Sequence, residues 1–321
     1  MHIQIRDTDL GAATAAADEI EHRFQTAGQD WYAFGTGELA RVNALLARGE
    51  AATVSPALAP LIRRAMDLHA RSGGRFDPGV CALVRLWQFD SEESLAGAAA
   101  PPADAEVQAL RARQGTLADL RFDGRTVSAG RPLCIDLGGM AKGSALEQAR
   151  AILRTHGVTS ALLDLGGSSQ LAIGRKGPGR WTIGLRHPRD NRVIGRLELE
   201  DGEAASTSGD YERGYVTNGH RYHHIIDPVT GRPTAASASA TVLAHDAELA
   251  DAASTALMVA GPARFRKIGA AMGISAALLV TATGELLTTP EMAERLQRDN
   301  GGRLPVIDWT RPGEDGEDPD L

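Results

Sequence analysis

The sequence predicts an α+β fold in which a mixed, largely antiparallel sheet packs against helices. Apolar residues recur at intervals of three and four in the N-terminal part and again from Asp246 to Val259, a period typical of amphipathic helices. The middle of the chain contains short β-prone runs joined by turn signals such as Asp123-Gly124 and Asn218-Gly219, which favour hairpins. Strands and helices do not alternate regularly, and this argues against a parallel α/β fold.

The individual elements follow from these periods and from turn residues. Helices are expected over residues 11–47 with a break at 35–37, after Ser55, from Ala141 to His156, from Asp246 to Val259 and near 262–272. Strands are expected at 120–122, 126–128, 133–135, 161–163, 181–186, 194–199 and 222–226. Residues 91–106 read as a surface loop. One domain is expected over 1–308, followed by an acidic, disordered tail over 309–321.

Composition narrows the class of protein. The chain has 321 residues, of which 43% are hydrophobic, and this is ample for a large core. The net charge of -7 argues against a nucleic-acid-binding protein but not against binding one dinucleotide. No apolar run approaches the ~20 residues of a membrane span, and the first residues do not resemble a signal peptide. The protein is expected to be cytoplasmic as written, or periplasmic if an N-terminal segment is missing.

The two cysteines, Cys81 and Cys134, each lie in an apolar run. They are interpreted as small buried side chains. No Cys-x-x-Cys or Cys/His spacing indicates a zinc or iron–sulfur site.

The segment Asp136–Gly143, DLGGMAKG, combines a strand, two glycines and a helix start. Glycines let a ligand approach the backbone, and the first N–H groups of a helix attract anions, so this segment could bind a pyrophosphate. An ordinary strand–helix turn is the alternative interpretation.

The late helix carries Asp251 and Thr255, four residues apart and therefore on one face. One carboxylate with neutral oxygens suits Mg²⁺ that is held jointly with a substrate phosphate. A solvated aspartate on an exposed face is the alternative.

Two further segments contain polar groups with catalytic or binding potential. His223 and His224 precede an apolar pair, and a histidine can deprotonate a hydroxyl group near neutral pH. If residues 222–226 are extended, the two rings point to opposite faces, and only one can serve a given site. The segment Ser206–Tyr211, STSGDY, could bind a ring or a phosphate, or could be a simple loop.

The order of these motifs resembles the ApbE family of FAD:protein FMN transferases. The matching segments are ELARVN at 38–43, GRFDP at 74–78, LWQF at 86–89, DLGGMAKG at 136–143, STSGDY at 206–211, HIIDPVTG at 224–231 and ADAASTAL at 250–257. The resemblance covers roughly residues 30–290. One departure is the DLGGS of 164–168, where the family has Asn-x-Gly-Gly-Asp.

The resemblance implies an ApbE-like fold and a set of site residues. FAD would contact Arg75, Phe76, Asp77, Gly138, Gly139, Lys142, Ser144, Ser208 and the main chain at Ile225. The Ala141 carbonyl, Asp251, Ser254 and Thr255 would hold Mg²⁺, and His224 would be the base that activates the acceptor hydroxyl.

The implied reaction is transfer of FMN from FAD to a threonine or serine of an acceptor protein, with release of AMP. The acceptor would carry a Ser/Thr-Gly-Ala-Thr-like motif. Two alternatives remain open: an FAD pyrophosphatase, in which water replaces the hydroxyl group, and a non-catalytic FAD-binding protein.

Overall fold

A computed structural model describes residues 1–97, 100–298 and 306, so the tail expected at 309–321 lies outside the described residues. The predicted α+β class is confirmed. The helices are α1 Leu10–Asp30, α2 Glu38–Leu46, α3 Ala59–Arg71, α4 Cys81–Leu86, α5 Glu92–Gly97, α6 Asp104–Arg113, α7 Gly138–Thr155, α8 Ala247–Met272 and α9 Pro290–Arg295.

The strands are mostly short and lie largely between α7 and α9. They are β1 His2–Arg6, β2 Ala52–Thr53, β3 Leu120–Phe122, β4 Thr126–Ala129, β5 Ser160–Leu165, β6 Ser169–Ile173, β7 Trp181–Arg186, β8 Val193–Leu199, β9 Ala204–Gly209, β10 Gly214–Thr217, β11 His220–His223, β12 Ile226–Asp227, β13 Arg232–Pro233, β14 Ser237–Ala244, β15 Ala276–Thr281 and β16 Leu286–Thr288.

A seven-stranded sheet forms the centre of the molecule, in the order β1-β5-β6-β9-β14-β15-β16. All of its neighbouring strands are antiparallel. Helices α7 and α8 pack against each other, and α8 also packs against β9 and β14. The main apolar core includes Leu146 on α7, Val242 on β14 and Leu257 on α8, all fully buried. Ser208 on β9 and Asp251 on α8 are thereby brought together where helix and sheet meet.

Most element predictions are confirmed, including the break near 35–37, the hairpin at Asn218-Gly219 and the division of the last long helix at Gly261. The prediction of a surface loop at 91–106 is wrong, because α5 and the start of α6 lie there. Glu106 explains part of this difference, since its carboxylate accepts a hydrogen bond from the Ala103 N–H and caps the start of α6.

The strand expected at 133–135 is also wrong, because its backbone bonds to a side chain instead of a neighbouring strand. The Asn43 amide donates to the Ile135 carbonyl and accepts from the Ile135 N–H, both at 2.8 Å. The Asp136 N–H donates to the carbonyl of Pro78 at 2.7 Å. The segment that leads into α7 is therefore fixed against α2 and against residues 76–80.

Cys81 and Cys134 form a disulfide with a Cα–Cα distance of 5.2 Å, so their interpretation as two separate buried side chains is wrong. The bond joins the start of α4 to the segment before α7 and closes a loop across 53 positions. Among the described helices, none is long and apolar enough to cross a membrane.

Loss of the disulfide is expected to lower the free energy of unfolding by roughly 2–4 kcal/mol, because the cross-link restricts the unfolded chain. Urea unfolding with and without a phosphine reductant measures the effect. The double variant Cys81→Ala/Cys134→Ala is the control and should not respond to the reductant. Equal stability of oxidised and reduced protein would contradict a cross-link that stabilises the fold.

Candidate active site

Asp251 is the central carboxylate of the candidate site. It lies in the second turn of α8, and its side chain is only 3% exposed. Its Oδ2 accepts a hydrogen bond from the Gly143 N–H of α7 at 3.0 Å, and its Oδ1 lies 3.4 Å from the Ser169 hydroxyl and 3.3 Å from Lys142 Nζ. A buried carboxylate requires such partners, and here helix α7 and strand β6 supply them.

Gly143 is required for the close approach of α7 and α8. A Cβ atom at this position would lie 2.3 Å from the Ala247 carbonyl oxygen, a distance that real Cβ atoms do not show. Any side chain would push the helices apart and lengthen the bond to Asp251. A glycine is therefore needed at position 143 for helix packing, a role that the sequence did not reveal.

Three hydroxyl groups lie beside Asp251. Ser208 Oγ on β9 is 2.8 Å from Ser254 Oγ and 3.1 Å from Thr255 Oγ1. Ser254 also donates to the Asp251 carbonyl at 2.9 Å. Thr255 Oγ1 lies 3.5 Å from the main-chain carbonyl of Asp251, and Ser208 joins the Ser254 and Thr255 hydroxyl groups from the sheet.

This donor set fits a hard cation such as Mg²⁺, which prefers oxygen ligands and is held by one or two carboxylates plus substrate phosphates. No group of three or more His, Cys, Asp or Glu side chains suited to a metal occurs within the described residues, so a site that is filled by protein carboxylates is not formed there. Ala141 lies in the first turn of α7, two residues before Gly143.

Helix α7 begins at Gly138, three residues earlier than expected, so both glycines belong to its first turn. A Cβ atom at Gly139 would lie 3.1 Å from the Phe76 ring and 3.4 Å from Thr255 Oγ1. Gly139 therefore lies between the expected flavin-contacting segment and the hydroxyl cluster. Leu137 gives the helix no side-chain cap, and the Gly138 N–H donates to Asp136 Oδ1 at 2.9 Å.

Asp136 was not among the predicted site residues. Burial raises the pKa of its carboxyl group, while the hydrogen bond from Gly138 lowers it. Its position two residues before Gly138 could have drawn attention to it, but an aspartate at a helix start has the simpler interpretation of a capping residue.

The three residues expected at the flavin end have different surroundings. Arg75 Nη1 lies 3.7 Å from Asp227 Oδ1, and the Phe76 side chain is buried. Asp77 is also buried and accepts hydrogen bonds from the N–H groups of Gly79 and Leu117 at 2.7 and 3.0 Å. Burial raises the pKa of the Asp77 carboxyl group, and the nearby His69 lowers it.

His223 and His224 have different hydrogen-bond partners. Strand β11 ends at His223, so His224 follows the strand and does not belong to it, contrary to the expected extension to residue 226. His223 Nε2 bonds to the Thr234 carbonyl at 2.6 Å, and its Nδ1 accepts from the Ile225 N–H at 3.4 Å. Both ring nitrogens of His223 are therefore engaged.

His224 bonds through Nδ1 alone. This atom lies 3.2 Å from the Arg213 carbonyl, and a carbonyl can only accept, so Nδ1 carries the proton. Its Nε2 then carries a lone pair, for which no hydrogen-bond partner exists among the described residues. Burial lowers the pKa of His224 to about 3, so the ring is neutral at physiological pH.

Two predicted residues bond away from the hydroxyl cluster. The Ser144 hydroxyl donates to Glu248 Oε1 at 2.7 Å and is buried between α7 and α8. The main chain of Ile225 is engaged within the protein, since its carbonyl accepts from the Thr234 N–H at 3.0 Å. The DLGGS segment at 164–168, which differs from the family motif, forms the turn between β5 and β6. There Asp164 Oδ1 accepts a hydrogen bond from the Gly167 N–H at 2.9 Å.

A buried carboxylate, a cluster of hydroxyl groups and a glycine-containing helix start thus come together where α7, α8 and β9 meet in this α+β fold. The chain belongs to the ApbE family, whose model matches residues 1–278. It is 40% identical over 284 residues to an FAD:protein FMN transferase of Rhodobacter capsulatus, covering 87% of this chain and 53% of that protein. It is 32% identical over 268 residues to the Vibrio cholerae enzyme of the same name, covering 82% and 76%.

Solved structures agree with this assignment. The ApbE protein of Thermotoga maritima matches with a TM-score of 0.81 and 30% identity, over 92% of this chain and 94% of that one. The flavinyl transferase ApbE of Pseudomonas stutzeri matches with a TM-score of 0.77 and 28% identity, over 92% of each chain. The expected ApbE-like fold is confirmed, although the chain spans about half the length of the Rhodobacter relative.

The lowered pKa of His224 predicts a stability that falls in acid. The unfolded chain binds a proton on this histidine near pH 6.5, whereas the folded chain does so only near pH 3. The contribution of the neutral His224 ring to the free energy of unfolding is therefore fully present above pH 6.5. It decreases by about 1.4 kcal/mol for each pH unit below that value. Urea unfolding between pH 7.5 and 5.5 should show a smaller loss for His224→Gln than for the unchanged protein. Identical losses would contradict a ring that stays neutral in the folded protein.

Proposed function

We propose that this protein transfers FMN from FAD to a serine or threonine hydroxyl of an acceptor protein and releases AMP. The proposal is supported by the names of its relatives and by one observation in particular: His224 has a fixed tautomer whose Nε2 has no hydrogen-bond partner among the described residues, and the Lys142 charge is among the groups that lower its pKa. Pure FAD storage requires no such base, and the alternative of a non-catalytic binding protein is therefore less favoured.

In the proposed reaction, FAD is the substrate and its pyrophosphate lies against the first turn of α7. The N–H groups of this turn and Lys142 bind the phosphate oxygens. Gly139 lets the backbone approach them, and Arg75 and Phe76 lie toward the flavin end. Asp251, Ser254, Thr255 and the Ala141 carbonyl would hold Mg²⁺, which would supply positive charge to the phosphates.

His224 Nε2 removes the proton from the acceptor hydroxyl. The hydroxyl oxygen then attacks the phosphorus of the FMN half, a new O–P bond forms, and the bond between this phosphorus and the bridging oxygen breaks. AMP leaves with the bridging oxygen. The negative charge of bound FAD would stabilise the imidazolium and would oppose the lowering of the His224 pKa by burial.

The acceptor is proposed to be a flavoprotein that presents a Ser/Thr-Gly-Ala-Thr-like motif. The pyrophosphatase alternative uses the same residues with water as the nucleophile. The two reactions differ in their products, since transfer yields one covalent flavin per AMP and hydrolysis yields free FMN.

Of the two compartments considered, the disulfide favours the periplasm, because disulfides persist in oxidising compartments. Alkylation of thiols in intact cells tests this location. Rapid labelling of Cys81 and Cys134 would contradict it.

The two histidines are expected to respond differently to substitution. His224→Ala should lower the rate of covalent flavin formation by about 10²- to 10⁴-fold, the typical contribution of a general base, with little change in FAD affinity. His223→Ala should instead lower the free energy of unfolding by about 1–3 kcal/mol, because the part-buried Thr234 carbonyl loses its donor. Single-turnover flavinylation of an acceptor peptide, followed by fluorescence, measures both rates. An inactive His223→Ala that is stably folded, beside an active His224→Ala, would contradict the assignment.

Gly139→Val is expected to weaken FAD binding by at least about tenfold, or ~1.4 kcal/mol, because the side chain would enter the space between Phe76 and Thr255. Calorimetric titration with FAD measures the affinity. Gly130→Val is the matched control, since a Cβ atom there would meet nothing within 4 Å. Equal FAD affinity of Gly139→Val and the control would place the dinucleotide elsewhere.

A further inference from the structure

Lys142 contacts the carboxylate that the proposed function assigns to the metal. Its Nζ lies 3.3 Å from Asp251 Oδ1, while the Lys142 side chain is 33% exposed and the Asp251 side chain only 3%. The other oxygen, Oδ2, is held by the Gly143 N–H at 3.0 Å. The Ser169 hydroxyl also lies 3.4 Å from Oδ1, so this oxygen faces both a neutral donor and a cation that belongs to the chain itself.

The ion pair between Lys142 and Asp251 offsets the free-energy cost of burying the carboxylate charge. A carboxylate removed from water without a counter-charge is strongly destabilising, and the two neutral donors of Asp251, Gly143 and Ser169, do not supply a positive charge. Lys142 supplies it. A divalent cation that binds Oδ1 would need the same place as the ammonium group, and two cations that share one oxygen repel each other.

We propose that Lys142 is a displaceable counter-ion, which pairs with Asp251 when no divalent cation is bound and moves to the phosphates of the substrate when one is. The phosphate half of this proposal depends on the proposed function, and the competition at Asp251 does not. The lysine side chain is suited to such a movement because it is a compact charge on a flexible four-carbon stem. Lys142 is the fifth residue of α7, three positions after Gly139, which faces the hydroxyl cluster.

Removal of the ammonium group should have opposite effects on two ligands. Divalent cations should bind more tightly, because no competing charge has to leave Asp251. FAD should bind more weakly, because its phosphates lose a positive partner. A lysine that only stabilises the fold would not give this pair of opposite changes.

The test compares Lys142→Met, which keeps most of the length of the side chain without its charge, with the unchanged protein. Mn²⁺ binding in the absence of FAD is measured by the electron paramagnetic resonance of free Mn²⁺, and FAD binding in EDTA by calorimetry. Lys176→Met is the matched control, because Lys176 Nζ lies over the Trp181 ring, 5.6 Å from its centroid, and outside the site. Thermal melts establish that each variant is folded, and Lys142→Gln replaces Lys142→Met if the latter is not.

For Lys142→Met, the Mn²⁺ affinity should rise about tenfold, equivalent to ~1.4 kcal/mol, and the FAD affinity in EDTA should fall by a similar factor. The control should match the unchanged protein in both measurements. Unchanged or weaker Mn²⁺ binding by Lys142→Met, with clear binding by the unchanged protein, would overturn the proposed competition and leave the metal assignment intact. If neither protein binds Mn²⁺, the metal assignment fails together with the competition. Stronger Mn²⁺ binding with unaltered FAD affinity would overturn the movement to the phosphates.

Discussion

The candidate site depends on one hydrogen bond between two helices, from the Gly143 N–H of α7 to the Asp251 carboxylate of α8. This bond fixes the orientation of a carboxylate that is almost fully buried. It also sets the distance between the glycine-containing start of α7 and the hydroxyl groups of Ser254 and Thr255. Because a buried carboxylate that loses its donors is strongly destabilising, folding and site assembly are coupled at this point.

Around this bond, the site joins parts of the chain that are far apart in sequence. Strand β9 contributes Ser208, and the segment before α7 is fixed by Asn43 and by the disulfide to Cys81. His224 enters from the end of the β10–β11 hairpin, where the Arg213 carbonyl determines its tautomer. The rigid helix pair and sheet thus position the groups that would bind phosphates, while a hairpin end presents the group that would move a proton.

The sequence was sufficient for the fold class and for the helix that carries Asp251, Ser254 and Thr255. The spacing of Asp251 and Thr255 is local, so their common helix face could be predicted. The partners of Asp251 could not, because Gly143 lies 108 positions away and no short-range pattern records that contact. The same reason explains the wrong strand at 133–135, where an apolar run resembles a strand but bonds to the distant Asn43.

The distinction between His223 and His224 also required tertiary structure. Alternation along a strand predicted that they differ in direction, but the strand ends between them, and their partners Thr234 and Arg213 decide which ring keeps a free nitrogen. Ser144 shows that closeness in sequence does not place a side chain in the site. It is next to Gly143, but its hydroxyl group donates to Glu248 and not to the hydroxyl cluster.

The most direct test of this account is the reaction of the unchanged protein and of Asp251→Asn with FAD, Mg²⁺ and an acceptor peptide. AMP and covalent flavin are quantified together by chromatography and mass spectrometry. The account predicts equal amounts of AMP and flavinylated peptide from the unchanged protein, and neither product from Asp251→Asn or in excess EDTA. AMP accompanied only by free FMN, or full transfer by Asp251→Asn, would contradict it.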